Sequence, residues 1–154
     1  MGKLYVVRHA DAGQRSDWKG PDSSRPLSHR GQRQADGLRD LLHDETITRL
    51  VASPFVRCVQ TLEPLGKRLG VTVESDARLA EGTGAEGALS IAKEVEDTSA
   101  VLCSHGDVIP DVLEALVGDG LKLRDELRWQ KASTWVLTRD DGRLAKGRYL
   151  PPPA

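Results

Sequence analysis

Residues 4–9 read LYVVRH, four apolar residues that break off into an arginine and a histidine. So short an apolar run, bounded by charge, fits a buried strand, with Arg8 and His9 where its carboxyl end opens into a loop. In open α/β sheets, ligands bind beyond the carboxyl ends of the strands. Residues 100–104, AVLCS, repeat the pattern and are followed by His105, Gly106 and Asp107. Two histidines and at least one arginine are thereby directed to one crevice.

Between these two strands the pattern alternates. Residues 10–27 hold Gly13, Gly20, Pro21 and Pro26 among charged and small residues, a long loop of the kind that is usually functional or disordered. Ser28 can cap a helix to about Leu42, with Ala35, Leu38, Leu41 and Leu42 on one face. A second strand over 47–52 leads to Ser53-Pro54, a cap followed by a first helical position. The helix it starts runs to about Leu69 on a stripe of Val59, Leu62, Leu65 and Leu69, and Pro64 must kink or divide it. A third strand over 71–74, a Gly-rich loop over 80–87 carrying Glu81, and a helix over 88–95 precede the strand at 100–104. A helix over 107–117 follows and stops at Gly118. Residues 135–138 and 143–149 flank Asp141-Gly142, a hairpin signal, so the last two strands should run antiparallel to each other. This order implies one domain over residues 1–154, a three-layer α/β/α fold around a mostly parallel mixed sheet of about six strands with a C-terminal hairpin.

A formal net charge of −1 argues against a polyanion-binding surface, so any anion must be recognised locally. The apolar runs are only strand-length and the N-terminus moves straight into charge, so neither a signal peptide nor a membrane span is expected, and the expected location is cytoplasmic. Cys58 and Cys103 lack the spacing of a metal or redox pair and read as free core thiols.

Arg8, His9, Arg57 and His105 all fall on the carboxyl side of a parallel sheet. Arginine's planar fork suits the oxygens of a phosphoryl group, and helix N-termini near Pro54 and Asp107 would add backbone donors. A histidine between arginines should have a depressed pKa and act as a neutral nucleophile. The chemistry implied is in-line attack by His9 on phosphorus, with Arg8, Arg57 and His105 holding the equatorial oxygens and water hydrolysing the phosphohistidine. An alkoxide leaving group needs a proton, for which Glu81 is the best-placed carboxyl and Glu86 a rival. Asp11 and Asp107 complete two His-x-Asp pairs that a metallophosphatase could use. Arginines beside them would repel the cation, so no metal or cofactor is expected, and Asp107 reads as favourable charge at a helix N-terminus. A non-catalytic phosphate-binding module would keep the arginines without turnover. Trp18 is either a loop anchor or a lid.

Arg8-His9-Ala10, Ser53-Pro54-Phe55-Val56-Arg57 with Gln60-Thr61 behind it, Leu79-Ala80-Glu81 and Ser104-His105-Gly106 together resemble the histidine phosphatase superfamily, also called phosphoglycerate-mutase-like. The resemblance implies that His9 is the phosphorylated nucleophile, that Arg8, Arg57 and His105 bind phosphate, and that the sheet has one antiparallel strand. Arg25-Pro26-Leu27-Ser28 and the SPFVRCVQTLE segment are most similar to SixA-type phosphohistidine phosphatases, which adds Arg25 as a phosphate contact. Ala10 and Asp11 depart from the sugar-phosphate branch and count against a mutase. Glu81 stands where some SixA-type members lack a carboxyl, so phosphatases of nucleotides or other small phosphate esters form the alternative. The expected partner is a phosphorylated protein or a small phosphorylated molecule, with no nucleic acid and no membrane.

Overall fold

The structure, a computed structural model, describes residues 2–153. The chain runs β1 (Leu4–Arg8), α1 (His29–Leu42), β2 (Arg49–Ala52), α2 (Val56–Leu69), β3 (Val73–Ser75), α3 (Glu86–Glu94), β4 (Ala100–Ser104), α4 (Val108–Gly118), β5 (Lys122–Leu123), β6 (Thr134–Asp140) and β7 (Arg143–Leu150). Short 3-10 turns occupy Arg15–Asp17, Asp22–Ser24 and Ala77–Leu79. The strands form one sheet in the order β3-β2-β4-β1-β6-β7-β5. β3, β2, β4 and β1 are mutually parallel, β6 is antiparallel to both β1 and β7, and β5 is parallel to β7. β6 is therefore the single reversed strand of a three-layer α/β/α fold.

Strand periodicity builds the layers. Leu4 and Val6 of β1, with Ala100 and Leu102 of β4, pack in the core that α3 and α4 cover. The alternate residues Tyr5, Val7, Val101 and Cys103 pack under α1 and α2. A strand buried on both faces has no polar positions to spare, which is why these segments are continuous apolar runs. Ser28 caps α1 by accepting from the Gly31 amide at 3.0 Å. Asp141 and Gly142 carry the β6–β7 turn with φ of 55° and 81°, the positive pair a type I′ turn requires.

Several expectations need correction. The sheet has seven strands where about six were expected, because β5 is only two residues long and leaves no periodicity to read. α2 begins at Val56, not Pro54; Phe55 is its extended N-cap and makes no side-chain cap bond. Pro64 does not divide α2, which continues unbroken through it; buried Leu62 and Leu65 anchor the helix on both sides of that residue. Leu41 is 45% exposed, because it lies further around α1 than Ala35, Leu38 and Leu42. α3 begins two residues early and takes Glu86 into its first turn.

Candidate active site

The strand order β2-β4-β1 sets three carboxyl ends side by side, with Arg8 in register with Ser104 and Ala52 with Cys103. Each chain end then turns into a chemically active residue: Ser53 after β2, His105 after β4 and His9 after β1. They open on a cleft of about 330 Å³ lined by Arg8, His9, Arg25, Arg57, Glu81 and His105, with Arg15, Lys131 and Asp107 among its other walls. A wider groove of about 1030 Å³ between α1, α2 and β3 shares none of these residues and contains no histidine.

His9 is 6% exposed, and its Nδ1 lies 2.8 Å from the Ala10 carbonyl. A carbonyl only accepts, so Nδ1 carries the proton and Nε2 keeps its lone pair. Burial, and after it the nearby Arg57, His105 and Arg8, pull the His9 pKa down to about 3 even though the Ala10 bond favours the charged ring. The ring is thus a neutral base at physiological pH. The Ala10 amide donates to Thr61 Oγ1, which itself donates to the Arg57 carbonyl, so the strand end and α2 are tied directly behind the histidine.

Arg57 is 1% exposed, with its guanidinium 4.9 Å from the Phe55 ring centroid. Its Nη1 donates to the Asp22 carbonyl at 2.9 Å and its Nη2 to Asp22 Oδ2 at 3.0 Å. Arg8 donates from Nη1 to the Trp129 carbonyl. Gly106 makes room for it: a Cβ there would stand 2.8 Å from the Arg8 guanidinium carbon. His105 packs edge-on to Phe55 at 4.7 Å and to His9 at 5.5 Å between ring centroids, and its Nε2 is 2.8 Å from Ser53 Oγ. Arg8 Nε, Arg57 Nε and His105 Nδ1 are buried without any hydrogen-bond partner. Buried polar groups are normally satisfied, so three unpartnered nitrogens around one histidine leave hydrogen-bonding capacity for a bound group.

Arg25 lines the cleft, but its Nε goes to Asp22 and its Nη1 to the carbonyls of Ala12 and Gly13, so it also staples its own loop. Glu81 lines the cleft as well, accepting from Arg15 Nη2 at 3.1 and 3.3 Å and lying 4.0 Å from Arg57 Nη2. Two bonds hold its loop: Ser104 Oγ donates to the Leu79 carbonyl, and the Gly82 amide donates to Asp107 Oδ2. Asp107 therefore grips the Glu81 loop rather than capping α4, where it makes no side-chain cap bond. Asp11 is turned to Ser28, with Lys131 at 3.5 Å, and the Ser28 hydroxyl chiefly holds its carboxyl below the usual range. Among the described residues no group of three or more His, Cys, Asp or Glu side chains is arranged to hold a metal ion.

Trp18 donates to the Pro21 carbonyl within its own loop and is not part of the cleft wall, so it anchors the loop. Glu86 is not part of that wall either. Cys58 and Cys103 are free and buried. The sequence marks Ser53 only as a helix cap. Asp22 joins Arg15, Arg25 and Arg57; the sequence offers only its pairing with Arg25. Lys131 lies in a stretch with no periodic signal, and nothing in the sequence would have found it.

A profile of the histidine phosphatase superfamily (branch 1) matches residues 4–88, more than half of the chain. An 8-oxo-(d)GTP phosphatase of Mycolicibacterium smegmatis is 38% identical over 97% of this chain, which spans only 48% of that relative's length. The chain covers less than half of that curated relative, and more of the relative lies outside the match than within it. The protein histidine phosphatase SixA, solved with tungstate, superposes with a TM-score of 0.77 at 21% identity, covering 99% of this chain and 96% of that one. The native mycobacterial glucosyl-3-phosphoglycerate phosphatase superposes with a TM-score of 0.70 at 18% identity, covering 100% and 99%. No helix of the described residues is long and apolar enough to cross a membrane. With Arg8-His9 and the Ser53-to-Arg57 segment inside the matched region, and the fold of its solved relatives reproduced along the chain, this protein belongs to the histidine phosphatase superfamily.

Proposed function

We propose that this chain is a phosphatase that works through a phosphohistidine on His9 and requires no metal. What carries the reading is the set of three buried, unpartnered nitrogens on Arg8, Arg57 and His105 around a neutral imidazole. His9 Nε2 attacks phosphorus in line; the new P–N bond forms as the P–O bond to the leaving group breaks. Positive charge that develops on the ring is met by the Nδ1–H bond to the Ala10 carbonyl. Arg8, Arg57 and His105 stabilise the charge on the equatorial oxygens. Glu81 gives its proton to the departing oxygen and takes one from the water that then cleaves the P–N bond. Arg25 supports the phosphate from the loop.

Glu81 in the cleft wall favours a phosphate ester as substrate, because an alkoxide needs that proton, and the relative named an 8-oxo-(d)GTP phosphatase supports a nucleotide. Protein phosphohistidine is the second reading, supported by the likeness to SixA. An acid-free quench during turnover should trap phosphate in an acid-labile, base-stable bond, and His9→Ala should abolish it; label surviving in the variant, or activity lost to EDTA, would end the mechanism. The substrate classes separate in Glu81→Gln. A loss of about 10²-fold or more is expected against an alkyl phosphate, and little loss against an aryl phosphate or a phosphohistidine. Equal losses across the three would make Glu81 a positioning group instead.

A further inference from the structure

The two ring nitrogens of His105, a residue of the cleft wall, have different surroundings. Its Nε2 is 2.8 Å from Ser53 Oγ and 3.6 Å from Cys58 Sγ, whereas its Nδ1 is buried with no partner. Ser53 is fully buried, and its Oγ also lies 3.3 Å from the Phe55 amide, which can only donate. A hydroxyl has one proton and two lone pairs. With one lone pair taken by the Phe55 amide, the Ser53 proton has His105 Nε2 as its near acceptor. If Nε2 accepts, the ring proton of a neutral His105 must sit on Nδ1.

The tautomer matters because of what surrounds it. A bare Nδ1 would present a lone pair to the oxygens of a bound phosphoryl group, acceptor against acceptor, in a wall otherwise made of guanidinium donors. A protonated Nδ1 adds one more donor to that wall. We propose that Ser53 is a positioning residue: its hydroxyl sets the tautomer of His105, so that Nδ1–H becomes a phosphate donor. The Phe55 ring fixes the plane of His105 from one side, and Ser53 fixes which way its dipole points. Ser53 thus links the carboxyl end of β2 to the one after β4, through the first residue beyond each strand. This inference rests on the phosphatase reading only for the use made of the proton; the proton's location is testable on its own.

The test is long-range proton–nitrogen NMR correlation on uniformly labelled protein, which distinguishes Nδ1–H, Nε2–H and doubly protonated histidine. In the wild type, His105 should be protonated at Nδ1 alone, and His9 should show the same tautomer for its own reason, the Ala10 carbonyl. Ser53→Ala should turn His105 into a mixture of tautomers while His9 is unchanged. The same variant should lower kcat/KM by roughly 10- to 100-fold, the range typical when a partner orienting a ligating histidine is removed. A wild-type His105 protonated at Nε2 only or at both nitrogens would overturn the proposal, and so would a Ser53→Ala spectrum identical to the wild type. The wild-type measurement stands even if the variant folds poorly. The expected tautomer without phosphate trapping on His9 would support the assignment of the proton and count against the phosphatase reading instead.

Discussion

Burial is the first cause of the low His9 pKa, and the neighbouring Arg57, His105 and Arg8 come after it. The sequence suggested the depression through neighbouring arginines; how deeply the ring is enclosed is not written in a tripeptide. The same enclosure makes each donor around it costly to lose. Arg57→Ala should lower kcat/KM by about 10²-fold or more, as for a preorganised donor at a centre of developing charge. Arg57→Lys should recover little of that, since one ammonium cannot reproduce the fork that now spans the Asp22 carbonyl, its carboxylate and the cleft. Steady-state kinetics on one small phosphate ester checks both, and turnover within a factor of two of wild type in Arg57→Ala would remove that helix from the site. Gly106→Ala should likewise impair turnover, because its Cβ would displace the Arg8 guanidinium.

The segment between β1 and α1 shows how a loop without regular structure is held in shape. Asp22 receives Arg15 and Arg25 on one carboxylate oxygen and Arg57 on the other, and the three guanidiniums keep its carboxyl below the usual range even though burial works against them. Two short 3-10 turns, Arg15–Asp17 and Asp22–Ser24, form within this frame. Asp22→Asn removes the charge but keeps the shape. It should raise the rate of limited proteolysis within residues 10–27 several-fold while the far-ultraviolet circular dichroism stays unchanged; an unchanged cleavage rate would show that backbone contacts alone hold the loop. The Glu81 loop is tied differently, by Asp107 to the Gly82 amide and by Ser104 to the Leu79 carbonyl. A carboxylate at the start of α4 thus serves the neighbouring loop.

For the molecule as a whole, the neutral His9 couples stability to pH. Its folded pKa of about 3 lies below the ordinary value of 6.5, so the unfolded chain binds this proton first. The stability associated with the neutral ring is therefore fully present above about pH 6.5 and is lost as pH falls toward 3. The loss amounts to several kcal/mol by linkage, on the order of 1.4 kcal/mol per pH unit. Urea unfolding at pH 7, 5.5 and 4 should show the wild type losing stability more steeply than His9→Gln, which has no proton to gain. Parallel slopes would mean that His9 titrates normally in the folded state. The carboxyls of Asp11, Asp22 and Asp76, all held below the usual range, add a further loss at lower pH that both proteins share.

The apolar runs of β1 and β4, each ending in a histidine, were legible because burial on both faces of a strand leaves a local signature, and so was the hairpin at Asp141-Gly142, where the backbone demands positive φ. Arg8, His9, Arg57 and His105 could be assigned to the carboxyl side of the sheet from the same local patterns. The order β2-β4-β1 could not, because it depends on which distant strands together bury both faces, and that order is what places Ser53 beside His105. The turning of Asp107 toward Gly82 and the presence of Lys131 in the cleft likewise arise from contacts between segments far apart in the chain. Local patterning specifies an element and the face it buries. Which polar groups meet at the ends of those elements is decided only when long-range packing closes the fold and each buried donor must find its acceptor.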